Sequence, residues 1–240
     1  RQANNKLDDE IRLAILELIN ERGTKELVQN LSHDLDVYLN FIKIRLSSAE
    51  KFKIGTFVKE LYNLKSIKRR GWERRKIINP ETVASHTYGA FMLAYLHLPS
   101  NLADEPQYDK ARILKMILIH DLAEAYIGDL APDEKTPETN KKEEKTFENL
   151  SLIGTYEGLA SVSDIVELYK EFTHDRQNIN SKIAREIDKL DCLLQLLIYN
   201  SDSEQTNIED FEFFKQDLID NIETEVGSGI KRLILELFEN

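Results

Sequence analysis

Apolar positions recur every three to four residues along almost the whole chain, the period of an amphipathic helix. Ile11, Ala14, Ile15, Leu18 and Ile19 share one face, and Leu27, Leu31, Leu35, Tyr38, Leu39 and Ile42 share another. Phe57, Leu61 and Leu64 mark a third helix that ends near Lys65. Asn79-Pro80 reads as a helix start, because a proline at an early helical position gives up a donor that has no partner there anyway. The helix it opens is expected from about Thr82 to His97, and a polar loop with Pro99 and Pro106 follows. The next helix is expected over 110–126, stopping at Gly128. From Pro132 to Lys145 the charged, proline-containing pattern predicts a mobile loop leading into a helix. Further helices are expected over 146–158, 163–172, 181–200, 210–223 and 228–238. Alternating strand-like patterning is missing, so the expected fold class is all-α. The segment before about Ala49 has heptad-like stripes of its own and none of the chemically interesting residues. It is expected to form an N-terminal helical extension, 1–50, ahead of a main domain over 51–240.

Composition narrows the partners. The net charge is −11, from 32 basic and 43 acidic residues. That balance argues against nucleic acid or an anionic membrane as the main partner, while a local basic cluster can still hold one phosphate group. The single cysteine, Cys192, excludes an intramolecular disulfide and fits a reducing compartment. No run of 18 apolar residues is present, and the N-terminus lacks the apolar core of a signal peptide, so a cytoplasmic location is expected. The chain contains no internal repeat, GxGxxG, Walker loop or GxSxG.

The chemistry concentrates in Ile119-His120-Asp121-Leu122-Ala123-Glu124-Ala125-Tyr126-Ile127-Gly128-Asp129-Leu130. A carboxylate beside an imidazole in an apolar run is costly unless something satisfies both, and a divalent cation does so. His86, in Val83-Ala84-Ser85-His86, and Asp188, between Ile187 and Lys189-Leu190, have comparable apolar flanks. Two imidazoles and two carboxylates suit Mn, Fe, Co, Ni or Zn better than Ca. Three helices contributing ligands is how bundles build metal sites. The remaining histidines, His33, His97 and His174, lie in polar settings and read as surface residues.

The order His86, His120-Asp121, Asp188 resembles that of the HD-domain metal-dependent phosphohydrolases. Four blocks, Gly71-Trp72-Glu73-Arg74-Arg75, Pro80-Glu81-Thr82-Val83-Ala84-Ser85-His86, His120-Asp121-Leu122-Ala123-Glu124 and Gly128-Asp129-Leu130-Ala131-Pro132, resemble the 5′-deoxynucleotidase branch, of the HD-domain-containing-2 and YfbR type. The resemblance spans roughly Phe57 to Asn200. It implies a helical HD domain around one divalent metal ion held by His86, His120, Asp121 and Asp188, with Co, Mn, Fe, Ni, Zn, Cu or Mg as candidates. It implies hydrolysis of a deoxynucleoside 5′-monophosphate to nucleoside and phosphate, in a homodimer.

Glu124 follows His120 by four residues and Asp121 by three, so it shares their helix face and is the expected base or water-orienting group. Asp129, just past Gly128, is the expected proton donor to the leaving 5′-oxygen or partner of the attacking water. Lys68-Arg69-Arg70-Gly71-Trp72-Glu73-Arg74-Arg75-Lys76 is the most basic window. Trp72 is a candidate for packing on the sugar or base, the alternative being a buried anchor. In the bacterial relatives an Arg precedes this Trp, where Gly71 stands here, so Arg70, Arg74 or Arg75 is expected to hold the phosphate instead. Asp191 is either a partner of the metal ligands or a salt-bridged helix carboxylate. Cys192 is expected in the core, Glu143-Glu144 on a solvated helix face, and Tyr88 and Tyr126 in core packing. Competing readings are an HD hydrolase acting on a nucleoside triphosphate or alarmone, and a non-catalytic helical module with a structural metal. A nuclease is disfavoured by the charge balance and by the lack of long basic stripes.

Overall fold

The computed structural model describes residues 56–156, 162, 164–201 and 210–238. The expected extension over 1–50 lies outside the described residues, as does His33. The described residues are helical, with one isolated antiparallel bridge between Lys68 and Thr82. In chain order the α-helices are α1 (Thr56–Leu61), α2 (Arg70–Arg74), α3 (Val83–His97), α4 (Lys110–Ile119), α5 (Glu124–Ile127), α6 (Pro137–Tyr156), α7 (Ile165–His174), α8 (Ile179–Ser201), α9 (Phe211–Asp220) and α10 (Glu225–Glu236). No helix among the described residues is long and apolar enough to cross a membrane.

α8 is the axis of the fold. Its Ile183, Ala184, Ile187, Leu190, Leu193, Leu196 and Leu197 are buried, and it packs against α3, α4, α7, α9 and α10. An apolar stripe that wide belongs to a helix surrounded by others. Local signals set the helix starts. Thr82 Oγ1 accepts the Ser85 amide at the head of α3, and Asp109 accepts the Arg112 amide at the head of α4. At the head of α10, the Thr224 hydroxyl accepts the Gly227 amide. Buried Glu186 of α8 accepts the Glu223 and Thr224 amides, both at 2.8 Å, which ties α10 to the axis.

Three differences from the sequence expectations have local causes. The mobile loop expected over 132–145 is mostly helix, because α6 starts at Pro137. Thr136 and Thr139 exchange amide-to-hydroxyl bonds of 2.7 and 3.2 Å across that start, a reciprocal cap that a reading of charge and proline content overlooks. The basic window, where the periodicity marks no helix, contains the short helix α2. The long helix expected over 110–126 breaks after Ile119, and the chain tightens through His120–Ala123 before α5. There Leu122 donates to Ile119 O and Glu124 donates to Asp121 O, three-residue spacings that replace the four-residue ladder.

A second apolar cluster lies on the α6–α7 side. Phe147 is fully buried, and its ring stacks on Tyr169 with centroids 3.8 Å apart. Phe147→Ala should lower the unfolding free energy by about 3–5 kcal/mol, read from urea unfolding. A loss below about 1 kcal/mol would mean that this cluster contributes little to the fold.

Candidate metal centre

His120 and Asp121 follow the end of α4, and their side chains reach one point although neighbours on a helix diverge by about 100°. In the tightened turn, His120 Nε2 stands 3.1 Å from Asp121 Oδ2. His86 of α3 brings its Nε2 to 2.9 Å from Asp188 Oδ1 and 3.9 Å from Asp121 Oδ2. His120 Nε2 is 3.7 Å from Asp188 Oδ1. The four side chains named from the sequence therefore converge, and the ligand atoms of His86, His120 and Asp188 all lie within 4.8 Å of one another.

These spacings fit a cation. Around an ion about 2.1 Å from each donor, two ligands at right angles lie about 3 Å apart and opposed ligands about 4 Å apart. The buried Nε2 of His120 has no hydrogen-bond partner, while its Nδ1 lies 2.7 Å from Ile117 O. With Nδ1–H donated to that carbonyl, the Nε2 lone pair points at the carboxylates, where a metal ligand's would. The fully buried ring of His86 is gripped at both nitrogens by one helix. Asp188 takes Nε2, and Asp191, one turn on, takes Nδ1 at 2.8 Å. A Cβ at position 89 would collide with the Asp191 carboxylate, so Gly89 is the notch that admits it. Of the two readings of Asp191, the structure places it as partner of a ligand.

Charge follows geometry. Burial and the nearby Arg69 pull the His86 pKa down, but hydrogen bonds to Asp188 and Asp191 outweigh them and hold it at about 9. Burial likewise opposes the charged form of His120, and Asp121 and Asp188 raise its pKa well above the usual value. Burial works against the charged forms of Asp121 and Asp188, yet the imidazoles drive both far below the ordinary carboxylate range, with Arg69 adding to the effect on Asp121.

Glu124 is buried, and its Oε2 has no hydrogen-bond partner. Burial, then the charges of Asp121 and Asp129, push its pKa well up. Asp129 accepts the Arg70 amide and lies 3.7 Å from Arg69 Nη1, which brings it to the same side of the centre.

The basic window distributes differently from the sequence expectation. Arg69, which was not singled out, is the guanidinium at the centre, with Nη1 3.1 Å from Asp121 Oδ2 and Nη2 3.7 Å from Cys192 Sγ. The backbone places it: Arg69 N donates to Glu81 O, and Val83 N donates to Ile67 O, pinning this segment to the head of α3. Arg70 and Arg74 turn outward to Glu134 and Asp133, and the Arg75 guanidinium lies over the Phe214 ring. Trp72 is buried, packs edge-on against Tyr199 and Phe214, and donates to Glu81 Oε1 at 2.8 Å. It occupies the anchor position of the two that the sequence allowed.

Other residues also move. Cys192 is a half-buried free thiol, and His97 and His174 are exposed as expected. Glu143 is buried beside Lys135, in place of the solvated face expected. Tyr88 and Tyr126 are exposed, in place of core packing. Each lies two residues from an inward-facing acid or base, His86 and Glu124, which turns it to the far side of its helix.

Two outcomes check this geometry. Asp191→Ala and Gly89→Ala should each weaken divalent-cation binding roughly 10- to 100-fold with helix content unchanged, by calorimetric titration. Affinity within about twofold of the parent would remove Asp191 from the centre. Because Asp188 and Asp191 hold the His86 pKa at about 9, cation binding at pH 7 should release protons, and affinity should rise with pH toward about 9. Calorimetry in buffers of different ionisation enthalpy reads that release, and a null value would contradict the charge assignment.

Comparison with known proteins identifies the family. The HD domain family profile matches residues 61–231. The chain is 30% identical over 155 residues to 5′-deoxynucleotidase HDDC2 of Xenopus laevis, covering 64% of this chain and 72% of that protein. It is 28% identical over 160 residues to 5′-deoxynucleotidase hdd1 of Schizosaccharomyces pombe, covering 64% and 76%. Among solved structures, a Pyrococcus horikoshii protein superposes with a TM-score of 0.55 at 23% identity, over 76% of this chain and 97% of that one. A predicted metal-dependent phosphohydrolase from Magnetospirillum magnetotacticum gives 0.54 at 20%, over 75% and 91%. Both superpositions are evidence of shared fold. A buried two-histidine, two-carboxylate centre on this helical frame, together with the profile match, makes the chain a metal-dependent hydrolase that belongs to the HD-domain family, in the branch that holds the 5′-deoxynucleotidases.

Proposed function

We propose that the protein hydrolyses deoxynucleoside 5′-monophosphates to nucleoside and inorganic phosphate. The observation that carries the reading is the buried acid–base pair Glu124 and Asp129 beside the ligand set. A purely structural metal needs neither group. The names of the relatives support the substrate class.

His86, His120, Asp121 and Asp188 would hold the divalent ion, with Co, Mn, Fe, Ni, Zn, Cu and Mg as candidates. The ion supplies Lewis acidity toward a phosphate oxygen and a lowered pKa for water. Glu124, made a stronger base by burial and by Asp121 and Asp129, accepts the proton of the attacking water. Asp129 handles the proton needed by the departing 5′-oxygen. Arg69 offers its guanidinium to the phosphate from beside Asp121. Trp72 acts indirectly, fixing the segment that carries Arg69, while Arg70, Arg74 and Arg75 brace the surrounding surface. In this reading the protein is cytoplasmic and homodimeric, with no nucleic-acid or membrane partner.

Glu124→Ala should keep its metal and lose phosphate release from a deoxynucleoside monophosphate by on the order of 10²-fold. Asp121→Ala should lose both metal content and turnover. Elemental analysis joined to a phosphate-release assay over mono- and triphosphates checks both variants. Full turnover by Glu124→Ala, or a preference for triphosphates, would overturn the assignment.

A further inference from the structure

A phosphomonoester that reaches the centre brings negative charge toward Asp121, Asp188, Glu124 and Asp129. Arg69 is the cation nearest the ligands, but its guanidinium is already committed to Asp121 and Asp129. A second cation lies within electrostatic reach of the same carboxylates. Lys135 lies between the Pro132–Glu134 turn and the head of α6, and the charges of Asp121, Glu124 and Asp188 all act on its ammonium. Its polar partner among the described residues is buried Glu143 of α6, at 3.6 Å, longer than a hydrogen bond. An ammonium carries three donors, so this one keeps donors to spare. Its side chain is 41% exposed, which leaves it open to an arriving ligand.

The segment that carries Lys135 is built to hold it. On one side, Glu134 closes the turn by accepting the Ala131 amide at 2.9 Å. On the other, the Thr136–Thr139 exchange caps α6. From outside, Arg70 pairs with Glu134 and Arg74 with Asp133, so α2 is strapped across the turn. The arginines of the basic window thus fix a backbone whose next residue is Lys135, and the Arg70 amide, donated to Asp129, ties the same strap to the candidate acid. Glu143 is the counter-charge of that lysine.

We propose that Lys135, positioned by Glu143 and by the strapped 132–136 turn, is a phosphate-binding residue for the substrate's phosphate. The proposal rests on the phosphomonoesterase reading for its substrate, but its anion chemistry is testable without turnover. Inorganic phosphate, the product of that reaction, is the probe.

In metal-loaded protein, Lys135→Met should weaken binding of inorganic phosphate roughly tenfold or more, by calorimetry, with metal content unchanged. KM for a deoxynucleoside 5′-monophosphate should rise in parallel while kcat changes less. Lys135→Arg should restore most of both, since a guanidinium also offers donors and charge. A merely structural lysine would leave the phosphate affinity and the KM-to-kcat split unmoved. Phosphate affinity and KM unchanged in Lys135→Met would overturn the proposal, and so would a parent protein that binds no phosphate. If the parent binds phosphate but hydrolyses no nucleotide, the substrate reading fails, while the phosphate titration still decides the role of Lys135.

Discussion

The grip of α8 on a single imidazole organises the centre. Asp188 and Asp191 are one helical turn apart, so their carboxylates meet the two nitrogens of His86 from the same helix face. One residue faces the ion position and the other fixes the ring. Burying an imidazole and two carboxylates together is costly unless each is satisfied, and mutual hydrogen bonding offsets that cost only in a narrow range of geometries. The apolar stripe of α8 sets the helix in place, and Gly89 on α3 provides the close approach. Moving α3 against α8 by a fraction of a turn would leave Asp191 unpartnered and His86 free to rotate.

The second half of the centre sits where α4 gives way to α5. After Ile119 the hydrogen bonds shorten to three-residue spacing through His120–Ala123, His120 Nε2 and Asp121 Oδ2 lie 3.1 Å apart, and α5 opens on buried Glu124. Strain is not needed to explain this. Tight turns are common at helix ends, and Ala123 and Ala125, both buried, offer little bulk to resist the close packing.

Electrostatics divide the basic window into two jobs. Arg69 enters the centre and helps drive the Asp121 pKa far down. Arg70 and Arg74 never reach it, because Glu134 and Asp133 hold them across the neighbouring turn. The charge that resembles a phosphate site in the sequence is therefore partly a strap. Lys135, which looks like one more charged residue in a polar stretch, pairs with buried Glu143 and feels the charges of Asp121, Glu124 and Asp188. Exposed ion pairs such as these add little stability, so their effect is best understood as holding the turn in position.

The primary sequence alone determined the helical class and singled out the four side chains that converge and the two acids, Glu124 and Asp129, that lie near them. Periodicity, apolar flanks and the resemblance of four short blocks depend on local spacing, and local spacing is what a sequence displays. Tertiary packing decided which arginine enters the centre, that Trp72 anchors the α2 segment, that Asp191 holds His86 and that Glu143 is buried. Most of those outcomes depend on contacts between residues far apart in the chain, such as His86 with Asp191, 105 positions apart, and Arg69 with Cys192, 123 apart. No periodicity encodes such pairings, because each is settled by which helix faces meet and by which charges the burial of those faces leaves to be paired.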